Sequence, residues 1–440
     1  MKTVGYAAFS SSATLAPYQF TRRELKENDI AIEILYCGVC HSDLHTVNGD
    51  WGPQSYPLVP GHEIVGVVKA TGSGVTKYQI GDNVAVGCMV DSCMQCDQCT
   101  HGEEQFCRQG MTPTYGVPDR VTGEITQGGY SKHIVVREEF VLKIPDGMDL
   151  SRTAPILCAG ITTYSPLKTW NVKSGSRVGV IGLGGLGHMA VKIAVAMGAE
   201  VTVISRSRNK EKEAITLGAK GILASTDQAE LEKAASSFDV IIDTAPVKHD
   251  VNTFTPLLDV DGTLIIVGQV GPLEEPVTVP LIMGRRRIAG SLIGGIAETQ
   301  ELLNFCAAHD VYPDCEMINI EHINETVILT VPAIVLLKSL TEVSSRAIVS
   351  SLGETRSSNL LPASVGETLR VVRIKRRSPI RSSRLRMAWL NADCETPSSA
   401  AALVKLLCRA MVINAVRSRN ISPDMLRHLF SGKNLFNNMY

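Results

Sequence analysis

No stretch of this chain is apolar for long enough to cross a bilayer. The longest candidate, residues 327–337, falls short of the roughly 18 residues needed and contains Pro332. Residues 1–20 lack a cationic start followed by an apolar core, so no secretory leader is expected. An excess of one charge is also missing: 43 Lys+Arg against 44 Asp+Glu leave −1, and no strongly electrostatic partner is expected. Glycine all but disappears near the end, with only three of 37 beyond residue 325. These absences point to a soluble, cytoplasmic protein without a membrane anchor, in which thiols stay reduced. That expectation bears on the 12 cysteines, because it disfavours a disulfide framework.

The near-neutral total hides a split. Residues 1–325 carry 26 Lys+Arg and 38 Asp+Glu, whereas residues 326–440 carry 17 and 6. Such asymmetry marks segments of different character. Residues 1–150 read as β-rich: "IAIEILYCGV", "IVGVVKATG" and "HIVVREEFVLKI" are short, β-branched and bounded by Gly, Pro or Asp. From about residue 151 the rhythm changes. "SRVGVIGLGGLGHMAVKIAVAMGAEVTVIS" reads strand, glycine turn, helix, strand, and "FDVIIDTA" and "GTLIIVGQV" follow as buried strands. This alternation predicts a doubly wound parallel sheet over 151–295. The last segment, 326–440, trades glycine for 16 Ser and 13 Arg and contains the basic run "RVVRIKRRSPIRSSRLR". It predicts no domain and is expected to be poorly ordered.

The stretch "CMVDSCMQCDQCTHGEEQFC" holds Cys93, Cys96, Cys99 and Cys107 in the pattern C-x2-C-x2-C-x7-C. Four thiolates in one loop can wrap a tetrahedral ion without long-range folding, and the Asp, Gln and Glu between them make the segment too polar for a core. Structural zinc is the reading; an iron–sulfur cluster is the alternative. Cys88 lies outside the pattern and reads as a small apolar residue at a strand end. A second constellation is dispersed: Cys40 in "CGVCHSDLH", His62 and Glu63 in "PGHEIVG", Cys158 in "ILCAGITTY". Two Cys and one His form the kind of zinc site that keeps a fourth position for water or substrate. Singly, each is weak, and a lone His or Cys is more often part of a core.

Their joint context resembles a known family. "GHEIVGVVKATGSGV" (61–75) fits the zinc signature G-H-E-x2-G-x5-G-x2-V of the medium-chain alcohol dehydrogenases. With "GVCHSD", the four-cysteine loop, "LCAGITTY" and "GLGGLG", residues 1 to about 325 are similar to its cinnamyl alcohol dehydrogenase-like, NADP-dependent branch. The resemblance implies a GroES-like catalytic domain over 1–150, completed by about 296–325, and a Rossmann domain over 151–295, with the active site between them. It implies Cys40, His62 and Cys158 as ligands of a catalytic Zn2+, and Glu63 as a neighbour able to exchange onto the metal. Asp43 resembles the carboxylate that orients the ligand histidine. Ser42 resembles the hydroxyl that hands on the alcohol proton, and His45 the histidine that relays it to solvent. Thr162 resembles the threonine beside the nicotinamide. Trp51 reads either as a pocket aromatic or as a surface-loop anchor. A homodimer is implied as well.

Gly182, Gly184 and Gly187, with Leu183, Gly185 and Leu186 between them, form G-x-G-x-x-G between a strand and an amphipathic helix. That context suits a pyrophosphate at a helix N-terminus. The second strand ends not in Asp or Glu but in Ser205, followed by Arg206, Ser207, Arg208 and Lys210. Hydroxyls and guanidinium groups bind a 2′-phosphate that a carboxylate would repel, so NADP(H) is expected over NAD. The predicted function is interconversion of a small-molecule primary alcohol and its aldehyde by hydride transfer. A polyol dehydrogenase, or a non-catalytic relative, is the alternative. Nucleic acid is disfavoured as a partner, since only Trp389 near the basic run offers a stacking face. The family's closing helix and strand are not recognisable after "INIEHINE", which predicts an incomplete sheet with an exposed strand edge.

Overall fold

The computed structural model describes residues 1–268 and 271–325, and the backbone of 370–374. These lie in one compact unit, Met1–Ser378, built on two main sheets. The poorly ordered tail expected from the sequence otherwise lies outside the described residues, as does Trp389.

The first sheet has seven strands. Its centre is Asp29–Gly38, which pairs antiparallel with Ile64–Thr71 on one side and with His133–Arg137 on the other. Asn83–Val86 and Leu142–Lys143 extend it beyond Ile64–Thr71. The dense β-branched content of these strands fits them to a sheet buried on both faces; Ile30, Ile32, Ile34, Ile64, Val65 and Val68 are almost fully enclosed.

The second sheet is all-parallel and six-stranded. Its spatial order is Gly221–Ala224, Glu200–Ser205, Arg177–Ile181, Phe238–Asp243, Leu258–Ile266, Arg287–Gly290. This is the expected doubly wound arrangement, with a chain reversal at the central strand Arg177–Ile181. Parallel strands covered on both faces read as continuous apolar runs, and "RVGVI" and "FDVIID" do. The buried helix Ala159–Thr169 packs against both Gly185–Ala196 and Ile296–His309, and one continuous core runs through both sheets.

One expectation is corrected. The edge predicted to be open is filled: Arg370–Ile374 pairs antiparallel with Cys315–Asn319 and parallel with Tyr36, Cys37 and Gly38. The first five residues of the basic run therefore act as a strand. The paired strand edge supplies the hydrogen-bond partners that make them one.

Candidate active site

Helix His41–Asn48 begins with a capping box. The Cys40 sulfur accepts from the Ser42 N–H at 3.5 Å, and the Asp43 carboxylate accepts from the Cys40 N–H at 3.1 Å. Gly49 closes the helix in the left-handed region at φ 75°. Local helix chemistry thus sets the relative positions of a candidate ligand and a candidate orienting carboxylate.

Asp43 is then caged. Its Oδ1 accepts from the Gly61 N–H at 2.9 Å, from His62 Nδ1 at 3.0 Å and from the Tyr115 hydroxyl at 2.7 Å; Oδ2 accepts from the Tyr130 hydroxyl at 2.9 Å. Burial opposes its charge, but His62 and these donors hold it below the usual carboxylate range. With Nδ1 fixed on Asp43, His62 is left with Nε2 as its free ligand atom.

Cys40, His62, Glu63 and Cys158 come together as expected: one ligand atom from each lies within 4.8 Å of the others. The two sulfurs are 3.9 Å apart. Cys158 caps helix Ala159–Thr169, and Thr162, buried one turn on, donates its N–H to the Cys158 carbonyl at 3.0 Å. Glu63 Oε2 is buried and has no hydrogen-bond partner among the described residues. Its room comes from Gly38, where a Cβ would fall 1.6 Å from that oxygen.

The donor set fits a zinc ion. Contact with Cys158 and then burial push the Cys40 thiol up, while burial and then Cys40 push Glu63 up. Burial resists a charge on His62, yet Asp43 raises it well above its ordinary value. Protons are held where a cation would displace them, and two sulfurs, an imidazole and an orphaned carboxylate oxygen suit zinc.

Cys93, Cys96, Cys99 and Cys107 also converge, with ligand atoms within 4.8 Å of one another. The sulfurs receive local donors: Cys107 from the Cys93 N–H and Cys96 from the Arg108 N–H, each at 3.4 Å. The Arg108 N–H is the main reason the Cys96 thiol falls to about 6. Such N–H···S contacts stabilise thiolates, so this loop too is suited to a cation.

Two predicted site residues sit nearer solvent. Ser42 Oγ lies 3.5 Å from the Cys40 sulfur. His45 is partly exposed, with Nδ1 on Asp50 at 2.8 Å and its ring stacked on Trp51 at 5.2 Å. Trp51 is thus both exposed and engaged with a site residue.

The glycine turn has the predicted cradle. Gly182 takes φ 86°, Gly184 opens helix Gly185–Ala196 with free space around it, and a Cβ on Gly187 would fall 2.2 Å from the Gly182 carbonyl oxygen. The open backbone at Gly184 and the uncapped helix start fit a pyrophosphate. Ser205 ends its strand beside this turn. Arg208 is committed to Glu211 at 2.5 Å and Glu230 at 2.7 Å, while Lys210 reaches back to the Leu183 carbonyl at 2.7 Å. Among the described residues, Arg206 makes no ion pair. Sequence reasoning missed Tyr115, Tyr130, Gly38 and Asp50; Gly38 lies in the quoted "GVCHSD" but was given no role, and the other three belong to no spaced motif.

A separate cavity of about 770 Å³, lined by Tyr18, Phe20, Arg22 and Tyr56, shares no residue with either cluster.

Comparison with known proteins agrees with this geometry. The "Alcohol dehydrogenase GroES-like domain" family matches residues 26–146, and "Zinc-binding dehydrogenase" matches 185–308. The NADP-dependent alcohol dehydrogenase C of Mycobacterium tuberculosis is 51% identical over 329 residues, covering 74% of this chain and 94% of that protein. Among solved structures, a cinnamyl alcohol dehydrogenase of Sorghum bicolor superposes with a TM-score of 0.72 at 38% identity, covering 85% of this chain and 98% of that one. The Helicobacter pylori enzyme complexed with NADP(H) gives 0.70 at 37%, with coverage of 85% and 98%. No helix among the described residues is long and apolar enough to cross a membrane.

Proposed function

Since the chain belongs to the zinc-containing medium-chain alcohol dehydrogenases, close to the cinnamyl alcohol dehydrogenase-like NADP-dependent branch, we propose a role for each residue of the two clusters and the cleft. The protein is a zinc- and NADP(H)-dependent oxidoreductase acting on alcohols and aldehydes. In our reading Cys40, His62 and Cys158 hold the catalytic ion, with Glu63 able to exchange onto it, and the four-cysteine loop holds a structural one. The glycine turn from Gly182 to Gly187 and Thr162 hold the dinucleotide. Ser205, Arg206 and Ser207 take the 2′-phosphate, while Arg208 serves instead as a strut between two carboxylates.

When bound, zinc supplies Lewis acidity at the substrate oxygen and the nicotinamide exchanges hydride with the adjacent carbon. The chain's own residues orient and move the proton. Asp43 fixes the His62 tautomer. Ser42 Oγ, beside the Cys40 sulfur, accepts or returns the alcohol proton. His45 passes it to solvent through Nε2, because its Nδ1 is already on Asp50. We take the physiological direction as aldehyde reduction, on aromatic or aliphatic primary substrates, in a cytoplasmic homodimer. Residues 1–150 with 296–325 form the catalytic domain in this reading, and 151–295 the cofactor domain.

The observation that carries it is the buried convergence of Cys40, His62, Glu63 and Cys158 around an orphaned carboxylate oxygen. Cys40→Ala is expected to halve bound zinc, given two clusters per chain, and to abolish NADPH-dependent aldehyde reduction. Full zinc content with normal turnover in that variant would overturn the ligand assignment.

A further inference from the structure

Asp243 is the last residue of a central parallel strand and is completely buried. It sits beside Ile181, the residue before the glycine turn, and its carbonyl accepts the N–H groups of Val267 and Gly268 at 3.0 and 3.1 Å. Its side chain faces the segment that follows: Oδ1 accepts from the Ala245 N–H at 3.1 Å, and Oδ2 lies 2.9 Å from His249 Nε2. Residues 244–250 are therefore folded back on their own origin. They abut the cradle. Thr244 Oγ1 donates to the Ile181 carbonyl at 2.7 Å, and it is the nearest atom, at 3.2 Å, to where a Gly182 Cβ would sit. Ala245 presses on Gly268 from the other side.

The imidazole of His249 faces an acceptor at each nitrogen. Nδ1 is 2.8 Å from the Val247 carbonyl and must carry a hydrogen to bond it. Nε2 then lies 2.9 Å from a carboxylate oxygen, at ion-pair distance but out of hydrogen-bond alignment, and neither atom has a hydrogen-bond partner among the described residues. A neutral ring would aim a lone pair at that buried anion. Both contacts are attractive at once only when the pair holds one extra proton, with His249 as imidazolium; a neutral ring can serve one of the two acceptors but not both.

We propose that His249, acting through Asp243, is a proton-dependent positioning residue that clamps segment 244–250 against the glycine turn and so sets the affinity for the dinucleotide. This rests on the reading of that turn as the cofactor cradle. Among the described residues, the charged groups acting on the ring are Asp243 from the strand and Asp250 from its own segment, and Phe254 meets it edge-on at 5.7 Å. The close contact with Asp243 is also the largest cause raising His249 above its ordinary value. A raised folded value means the clamp is closed at lower pH and released as pH rises through it, the proton passing to solvent.

The test is binary binding of NADPH and of NADH to the zinc-loaded enzyme, followed by fluorescence between pH 6 and pH 9.5. NADH lacks the 2′-phosphate and separates protein titration from cofactor titration. Wild-type Kd for both is expected to rise about tenfold across the range, the equivalent of one unit of linked pKa. His249→Gln and Asp243→Asn should flatten that rise, and His249→Gln should keep the wild-type kcat at saturating cofactor. A wild-type pH profile in the folded His249→Gln enzyme would overturn the clamp. Failure of wild-type enzyme to bind either dinucleotide would instead overturn the cradle reading beneath it.

Discussion

Asp43 shows how much one buried carboxylate can organise. It ties the Cys40 N–H, the Gly61 N–H, His62 and two tyrosine hydroxyls into one cage. Removing one donor from a buried anion costs about 1.5–3 kcal/mol. Tyr115→Phe and Tyr130→Phe should therefore fold but hold the catalytic zinc about 10–100-fold less tightly, as loss of a ligand's supporting partner does. Competition with a chelator measures this; unchanged retention would show the tyrosines to be mere packing. The sign of the pH effect follows from Asp43 being depressed. The stability it contributes is present above its ordinary value near pH 4 and is lost as pH falls through the lower folded value. Ser205 tests the proposed cofactor site. Ser205→Asp places a carboxylate where a 2′-phosphate is expected and should raise KM for NADPH by about tenfold or more relative to NADH, ~1.4 kcal/mol. Equal effects on both cofactors would refute the phosphate assignment. The convergence of the candidate ligands and Asp43 was legible because their motifs are short and spaced. Tyr115 and Tyr130 were not, since each is a single tyrosine in a turn-rich stretch and only the fold brings both onto one carboxylate.

At the level of elements, the parallel strands and the helix after the glycine turn could be read directly, because a continuous apolar run ending in G-x-G-x-x-G fits little besides a buried strand turning into a helix. The strand Arg370–Ile374 could not. "RVVRI" sits in a cationic run well beyond the last matching segment, and what makes it a strand is the pair of edges it meets. It pairs with Tyr36, Cys37 and Gly38, two residues before Cys40. Val372→Pro removes an N–H from a strand paired on both sides. The expected result is a lower Tm and faster zinc loss from the catalytic cluster, with the four-cysteine loop keeping its metal. Unchanged Tm and zinc content would mean this strand does not support the site. The four-cysteine loop has its own tie to the rest of the fold: Glu104 caps helix Ile296–His309 by accepting the Ile296 N–H at 3.0 Å. Glu104→Ala should cost ~1 kcal/mol, a typical loss for a helix cap, read as a shift in the denaturation midpoint.

Across the whole molecule, the two sheets share one core, and both end in strands with no further strand beside them among the described residues. Arg370–Ile374 lies inside the catalytic sheet, whose outer strand on that side is Cys315–Asn319, and the parallel sheet ends at Arg287–Gly290. Beside that edge, helix Thr278–Gly284 leaves Ile282 and Met283 72% and 80% exposed, with Val279 and Val260 also uncovered. A bare strand edge flanked by large apolar side chains is unstable against self-association unless a partner is meant to cover it. A second copy meeting the first edge to edge across a two-fold axis would satisfy both the ladder and the apolar helix at once, since such an interface is self-complementary. The sequence could suggest a dimer only through its family; the edge becomes visible only when strand order is known. Replacing Ile282 and Met283 together with Asp should leave the zinc clusters and the cofactor turn intact and convert the proposed homodimer to monomer in sedimentation at micromolar concentration. A double variant that sediments as a dimer would place the subunit contact on another face.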